Sequence, residues 1–341
     1  MDTRVLYEER LFPIVRKIEK VLAEGVDMDP EFEEMYRAAV GGGMRFRPCL
    51  MYIAFAMCGG EPEEFVIPAA VGVELLHKAS LIHDDLVDGD ALRRGSPTFC
   101  QVYGPERAVI MGDFLVARAY LAMDGLEECV PGEIAREARR RFAAVHCDMC
   151  RGELLELMSG TESPTVDYAE RVLQGKTAAL MEQSLAIGAV LGGGSALEIE
   201  GLAEYGRCLG MIFQTVNDMN NLAGFDSTVK GSALSDLVQR RVGLPMVGLA
   251  MHLGEERLAS LSDQVRSGEE GAARAQAELE GLMGEGPVRD WLDRILDNLE
   301  ERALRALSVF PPGFKRHALE SIGRDMFETW FWEPDKGDEK A

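Results

Sequence analysis

The sequence predicts an all-α protein, built as one bundle of about a dozen helices. Three observations carry that expectation. Apolar residues recur at three-to-four spacing through nearly every segment. No stretch shows the strict alternation of a half-buried strand, and no internal repeat recurs at a fixed period. The clusters that interrupt the periodic segments are helix stops too short for linkers: Gly41-Gly42-Gly43, Gly59-Gly60, Gly192-Gly193-Gly194 and Pro311-Pro312-Gly313. At 341 residues, length alone allows one domain or two. Without a linker the expectation is a single domain over 1–341, with a charged tail at 333–341.

The first helix is expected over Leu6–Ala23, where Leu11, Ile14, Val15, Ile18, Val21 and Leu22 form one stripe. Pro48–Cys58 follows the triple glycine, with proline in its first turn. Val66–His83, Ala108–Leu126, Gly132–Met158, Tyr168–Leu191 and Leu197–Asn221 come next. Leu244–Leu253, Glu255–Ser267, Ala272–Leu282, Val288–Leu307 and Lys315–Glu328 complete the set. Ala178–Leu191 is apolar around most of its circumference and should be central.

Composition narrows the function. With 47% hydrophobic and 28% charged residues the chain is an ordinary globular one. Its net charge of −22 argues against nucleic acid or an anionic membrane as partner. An anionic substrate would require cations gathered at one site, with metals supplying the rest. Met1–Arg10 lacks the apolar core of a signal peptide. Glu, Lys or Gly interrupts every apolar stretch short of the ~20 residues of a membrane span. The expectation is a soluble, cytoplasmic protein. Seven scattered cysteines, an odd number, suit a reducing compartment. Cys147 and Cys150 form a lone C-x-x-C beside His146, expected to be buried structural thiols rather than a metal or redox site.

Two stations carry the chemistry. In His83-Asp84-Asp85-Leu86-Val87-Asp88, a helix places Asp84 and Asp88 on one face, one turn apart. Carboxylates so placed repel unless a divalent cation neutralises them, and Mg²⁺ combines a few such oxygens with phosphate and water. Arg93 and Arg94 follow at once, suited to bidentate phosphate contacts. The second station, Phe213-Gln214-Thr215-Val216-Asn217-Asp218-Met219-Asn220-Asn221, has amides where a matching site would carry carboxylates. Upstream, Gly42-Gly43-Met44-Arg45-Phe46-Arg47-Pro48 joins a glycine turn to alternating arginines; alone it reads equally as a helix stop. Gly175-Lys176-Thr177, Lys230-Gly231 and Asp236 with Arg240-Arg241 are each weak alone.

Together the stations resemble the trans-isoprenyl diphosphate synthase (polyprenyl synthetase) family. The ordered set is Gly42-Gly43-x-Arg45-x-Arg47-Pro48, Glu74-x-x-His77-x-x-Ser80-x-x-His83-Asp84-Asp85-x-x-Asp88, Arg93-Arg94-Gly95-x-Pro97-Thr98, Gly112-Asp113, Lys176-Thr177, Phe213-Gln214-x-x-x-Asp218 and Leu244-Pro245. The resemblance implies an isoprenoid-synthase-type bundle around a deep apolar cavity. It also implies a Mg²⁺-dependent condensation of an allylic diphosphate with isopentenyl diphosphate, and a homodimer. Position by position, Asp84, Asp85, Asp88, Lys176 and Asp218 would be catalytic. Asp84, Asp88, Asn217, Asp218 and Asn221 would form the metal set. Arg93, Lys176, Gln214 and Lys230 would hold the allylic diphosphate; Arg47, His77 and Arg94 would hold isopentenyl diphosphate. Arg45 and Thr177 join the substrate contacts.

The chain departs from the family pattern at particular places. Met44 stands where the family has a lysine that grips isopentenyl diphosphate, a loss of about 1.5–3 kcal/mol. Asn217 and Asn221 replace the first and last Asp of the second motif, and Lys230-Gly231 inverts the family's Gly-Lys. Arg241 replaces a lysine and Gly243 a threonine. The leading reading is a prenyltransferase making a geranylgeranyl-length or longer product. One alternative is a terpene-synthase-like lyase, for which Asn217-Asp218 fits and Asn221 and Phe225 do not. The other is a low-activity partner subunit of a hetero-oligomer. On product length, Ala79 and Ser80 occupy the family's cavity-floor positions; both are small, so the floor is expected to open toward Leu76 or Met111.

Overall fold

The computed structural model describes residues 11–24, 29–93, 95–159, 165–223 and 234–330. The protein is all-α, as the periodicity predicts. In chain order the helices are α1 (Phe12–Glu24), α2 (Pro30–Val40), α3 (Phe46–Met57), α4 (Ile67–Asp88), α5 (Phe99–Tyr103), α6 (Pro105–Asp124), α7 (Gly132–Leu157) and α8 (Val166–Leu173). They continue as α9 (Ala179–Leu191), α10 (Ala196–Ala223), α11 (Ser235–Gln239), α12 (Leu244–Leu253), α13 (Glu255–Arg266), α14 (Glu269–Gly284), α15 (Pro287–Ala306) and α16 (Phe314–Trp330). The start of the first expected helix and the 333–341 tail lie outside the described residues.

Helix α9 is central, as its all-round apolarity requires. From Ser184 to Leu191 every residue is buried, and the helix packs against α3, α7 and α10. One apolar cluster gathers around α10, α12 and α15, and another around α4, α6 and α7. Tyr52 on α3 packs against both. Tyr205 of α10 is buried and donates its hydroxyl to the Leu319 carbonyl oxygen at 2.6 Å, which ties α16 across the bundle.

Several elements differ from expectation. Helix α2 has its signals in place: Pro30 in the first turn, Glu31 and Glu33 beside it, and Tyr36, Ala39 and Val40 facing inward. Its stripe is short, and the segment is absent from the periodicity reading. A two-residue antiparallel ladder pairs Leu92 with Pro97 and Arg93 with Ser96, far too short to show alternation. The expected helix Tyr168–Leu191 is interrupted by a π-turn, Gln174–Ala178. By length and composition Glu63–Asp88 would suffice to cross a bilayer. Its apolar surface is instead core surface, and its charged Glu74 and Lys78 are buried within the bundle.

Cys147 and Cys150 are exposed, not buried. The inward stripe of α7 runs Ala135, Ala138, Phe142, Val145, Met149, Gly152, and both thiols fall off that phase. Among the described residues all cysteines are free thiols, and none belongs to a group of three metal-ligating side chains.

Candidate active site

The acidic end of α4 organises the site. Gly89, in the left-handed conformation at φ 68°, ends the helix directly after Asp88. The short hairpin then folds Arg93 back onto the helix, turning at Gly95 with φ 74°. Arg93 Nε and Nη2 reach Asp85 Oδ1 at 2.7 and 2.6 Å. Thr98 holds the far strand, its hydroxyl donating to the Asp90 carbonyl oxygen at 2.9 Å and its side chain capping α5 at the Gln101 N–H. The Arg-Arg-Gly-x-Pro-Thr motif is thus a device that sets one guanidinium over Asp85. Arg94 lies outside the described residues.

His83 does not face this site. Its ring lies against α6 at Gly112, where a Cβ would overlap it, with Nε2 3.3 Å from the Val109 carbonyl oxygen and 3.8 Å from Asp113 Oδ1. The Gly112-Asp113 pair therefore accommodates the histidine that precedes the acidic triad.

Opposite the triad, the π-turn presents Lys176. Here α7 and the π-turn cross backbone to backbone: a Cβ on Gly175 would lie 2.8 Å from the Gly152 Cα. That close crossing places Lys176 Nζ 2.8 Å from Glu153 and 2.5 Å from Glu156. Burial lowers the Lys176 pKa, but Glu156, Asp84 and Glu153 together outweigh it and hold the amine above its ordinary value. The Asp84 carboxyl is pushed up to about 7, first by burial, with Glu153 and Asp88 adding to it and Lys176 and Arg93 opposing. π-turns of this kind recur at functional sites.

From α10, Gln214 and Asp218 complete this half. Thr177 Oγ1 donates to Gln214 Oε1 at 2.9 Å, and Gln214 Nε2 donates to Asp218 Oδ1 at 2.7 Å. Asp218, Gln214, Thr177, Lys176, Asp236 and Arg241 share a pocket of about 50 Å³. Arg241 Nη1 sits 2.9 Å from Asp88 Oδ2, with its Nε 3.5 Å from Asp236 Oδ1. Asn221 Nδ2 donates to Asp236 Oδ2 at 3.5 Å, so an amide donor stands where a carboxylate would repel Asp236. Asn217 is half-buried on the same helix. Lys230 lies outside the described residues.

The other side of α4 faces a cavity of about 680 Å³. Glu74, His77, Lys78, Leu81, Ile82 and Asp85 line it, at the spacing of one helical stripe. Two parallel contacts tie this stripe to the start of α3. Arg45 Nη1 donates to Glu74 at 2.7 Å, with both side chains buried, and Arg47 Nη1 stands 3.1 Å from His77 Nε2. Arg45, expected among the substrate contacts, is only 4% exposed and also donates to the Val40 carbonyl oxygen. It fastens the turn and also lines the cavity, together with Arg47, His77, Phe213 and Arg93.

The site thus brings together Asp84, Asp85, Asp88, Arg93, Lys176, Thr177, Gln214 and Asp218. Glu153, Glu156 and Lys78 were not foreseen as members. The two glutamates had a signal: Gly152-Glu153-x-x-Glu156 ends an amphipathic helix with carboxylates at i and i+3. Among the described residues no three metal-ligating side chains converge on one point, since Asp85 and Asp88 are held by arginines. The donor set of Asp84 and Asp88, with a half-buried carboxyl of raised pKa, fits a cation that draws most of its ligands from phosphate and water, as Mg²⁺ does.

Comparisons with known proteins agree with this geometry. The model of the polyprenyl synthetase family matches residues 29–280. A geranylgeranyl diphosphate synthase of Mycobacterium tuberculosis is 39% identical over 213 residues, 62% of this chain and 59% of that protein. A short chain isoprenyl diphosphate synthase of Methanocaldococcus jannaschii is 32% identical over 248 residues, 72% of this chain and 74% of that one. The match thus spans less than two thirds of the mycobacterial relative. Among solved structures, a polyprenyl synthase from Caulobacter crescentus, complexed with calcium and isoprenyl diphosphate, superposes with a TM-score of 0.82 at 27% identity, covering 95% of this chain and 97% of that one. With about three quarters of its length matched by the family model, the chain belongs to the polyprenyl synthetase family.

Proposed function

We propose that the protein is a Mg²⁺-dependent prenyltransferase, which joins an allylic diphosphate to isopentenyl diphosphate. The observation that carries this reading is the position of α4 between two differently equipped sites. One side carries Asp84 and Asp88 opposite Lys176 and Gln214; the other carries His77 against Arg47 above a large cavity. A lyase needs only the first side.

In this reading Asp84 and Asp88 hold the metal, with Asp218 across the cleft. When bound, Mg²⁺ supplies charge neutralisation to the leaving diphosphate. Lys176, Arg93 and Gln214 orient the allylic diphosphate, and Arg47 and His77 fix the diphosphate of the acceptor. The allylic C–O bond breaks, the isopentenyl double bond attacks the resulting carbocation, and a C–C bond forms. A proton then leaves to the released diphosphate. The apolar cavity walls keep water from the carbocation.

Small residues at the positions that the family resemblance assigns to the cavity floor support a product of geranylgeranyl length or longer. Ala79 is buried, and Ser80 donates its hydroxyl back to the His77 carbonyl oxygen at 2.9 Å, so neither projects bulk. The relatives named geranylgeranyl synthases point the same way. Exposed apolar side chains on α6 and α7, among them Ile110, Leu121, Leu154 and Leu157, support a homodimer that covers them. The free cysteines fit a cytoplasmic setting.

The test is incorporation of labelled isopentenyl diphosphate into an extended prenyl diphosphate, in the presence of Mg²⁺ and an allylic diphosphate. Hydrocarbon or alcohol formed without isopentenyl diphosphate would instead indicate a lyase. Silence until a homologous subunit is added would indicate a partner subunit.

A further inference from the structure

Met44 leaves the acceptor pocket without the cation its position carries in the family resemblance, and the structure shows where a replacement stands. The Met44 side chain is 58% exposed and brings no charge. Arg45 is committed to Glu74 inside the protein. Lys78, adjacent to His77 on the cavity-lining stripe of α4, is only 9% exposed. Its Nζ donates to the carbonyl oxygens of Gly41 and Gly42 at 2.7 and 2.9 Å, directly beneath the glycine turn. Gly43, at φ 92°, lies beside it: a Cβ there would make an ordinary contact with Nζ at 3.5 Å. Arg47, His77 and Lys78 therefore line one cavity from two facing elements.

Lys78 thus holds its ammonium beside the glycine turn from within the cavity wall. A lysine's four-carbon stem lets the same charge serve the turn before ligand binds and a phosphate oxygen afterward. We propose that Lys78 supplies the cationic contact to the acceptor diphosphate that Met44 cannot, so that the charge has moved from the glycine turn to the helix facing it. This rests on the prenyltransferase reading and adds one specificity-determining residue to it. Lys78 binds the diphosphate of the homoallylic substrate, alongside Arg47 and His77, and has no part in holding the allylic one.

The test compares wild type, Lys78→Met and the double variant Met44→Lys/Lys78→Met. Isopentenyl diphosphate and a non-reactive allylic diphosphate analogue are each titrated by calorimetry. Thermal unfolding of each variant is recorded alongside. Lys78→Met should weaken isopentenyl diphosphate about tenfold or more while leaving the allylic analogue within about twofold. Restoring an ammonium at Met44 should recover most of the loss, which a purely structural role for Lys78 would not allow. Unchanged isopentenyl diphosphate affinity in Lys78→Met, equal weakening of both ligands, or failure of the double variant to recover would each overturn the proposal. If wild type binds no isopentenyl diphosphate, both this inference and the prenyltransferase reading fall. If wild type elongates but Lys78→Met is neutral, only this inference falls.

Discussion

Asp88 Oδ2 and Arg241 Nη1 meet at 2.9 Å across the mouth of the cleft, joining the end of α4 to the chain just before α12. The contact has a partner: Arg93 holds Asp85 in the same way from the hairpin. In the proposed function, a divalent cation and a diphosphate would share the charge that these two arginines meet here. Burial lowers the pKa of Arg241, but Asp88, Asp236 and their neighbours outweigh it, so the guanidinium stays charged throughout. Binding a metal–diphosphate complex must exchange these contacts for new ones, with arginine passing from carboxylate to phosphate.

Removing the carboxylate that no arginine holds is the simplest perturbation. Asp84→Ala should lower kcat at least about 100-fold while leaving the far-ultraviolet dichroism near wild type. Steady-state kinetics at saturating Mg²⁺ check the first part.

Asp84 also sets a pH dependence. Its folded pKa of about 7 lies above the ordinary carboxylate value of 3.8. In the metal-free protein the native state thus binds more protons than the unfolded chain between these values, and this group's contribution to stability is lost as pH rises through that window. Asp84→Asn should therefore unfold at a higher temperature than wild type at pH 8, with the difference vanishing near pH 4. Because only the carboxylate ligates, wild-type Mg²⁺ affinity should fall as pH drops below about 7. Calorimetric melts and Mg²⁺ titrations across pH 5–8 check both signs.

The second station is where residue type could be read and geometry could not. The all-α class, the order of the long helices and the pairing of Asp84 with Asp88 all follow from spacing, because a helix fixes which residues share a face. The partner of each charge does not follow. Arg45 looks like a phosphate ligand in the sequence and is buried on Glu74; Lys176 looks like a surface lysine and is held by Glu153 and Glu156. The Lys176 contacts depend on the π-turn and the glycine crossing at 152 and 175, which no periodicity reveals. The exposed thiols at 147 and 150 differ for a related reason: their side of α7 is set by tertiary packing.

Asn221 pairs with Asp236, so Asn221→Asp places two carboxylates together. The variant should be less stable than wild type without metal, and Mg²⁺ with diphosphate should recover the loss. Asn217→Asp should likewise sharpen the Mg²⁺ dependence of turnover. Thermal midpoints with and without Mg²⁺ and inorganic diphosphate check both.

The Arg45–Glu74 pair should matter for stability. Glu74→Ala strands a buried guanidinium and should cost about 3–5 kcal/mol, whereas replacing both partners with methionine should recover most of that. Chemical denaturation of the two variants checks the difference.

Gly152→Ala tests whether the helix crossing positions Lys176. A methyl there would overlap the backbone of the π-turn. The variant should lose about 1–3 kcal/mol of stability and show a raised KM for the allylic diphosphate, measured by initial rates at fixed isopentenyl diphosphate.

The central claim is that the cleft condenses two diphosphates rather than ionising one. Its most direct test is the release of diphosphate from an allylic diphosphate and Mg²⁺, followed with and without isopentenyl diphosphate. The structure predicts release only when isopentenyl diphosphate is present, one diphosphate for each five-carbon unit added to the product. Release at the same rate without it would contradict the account.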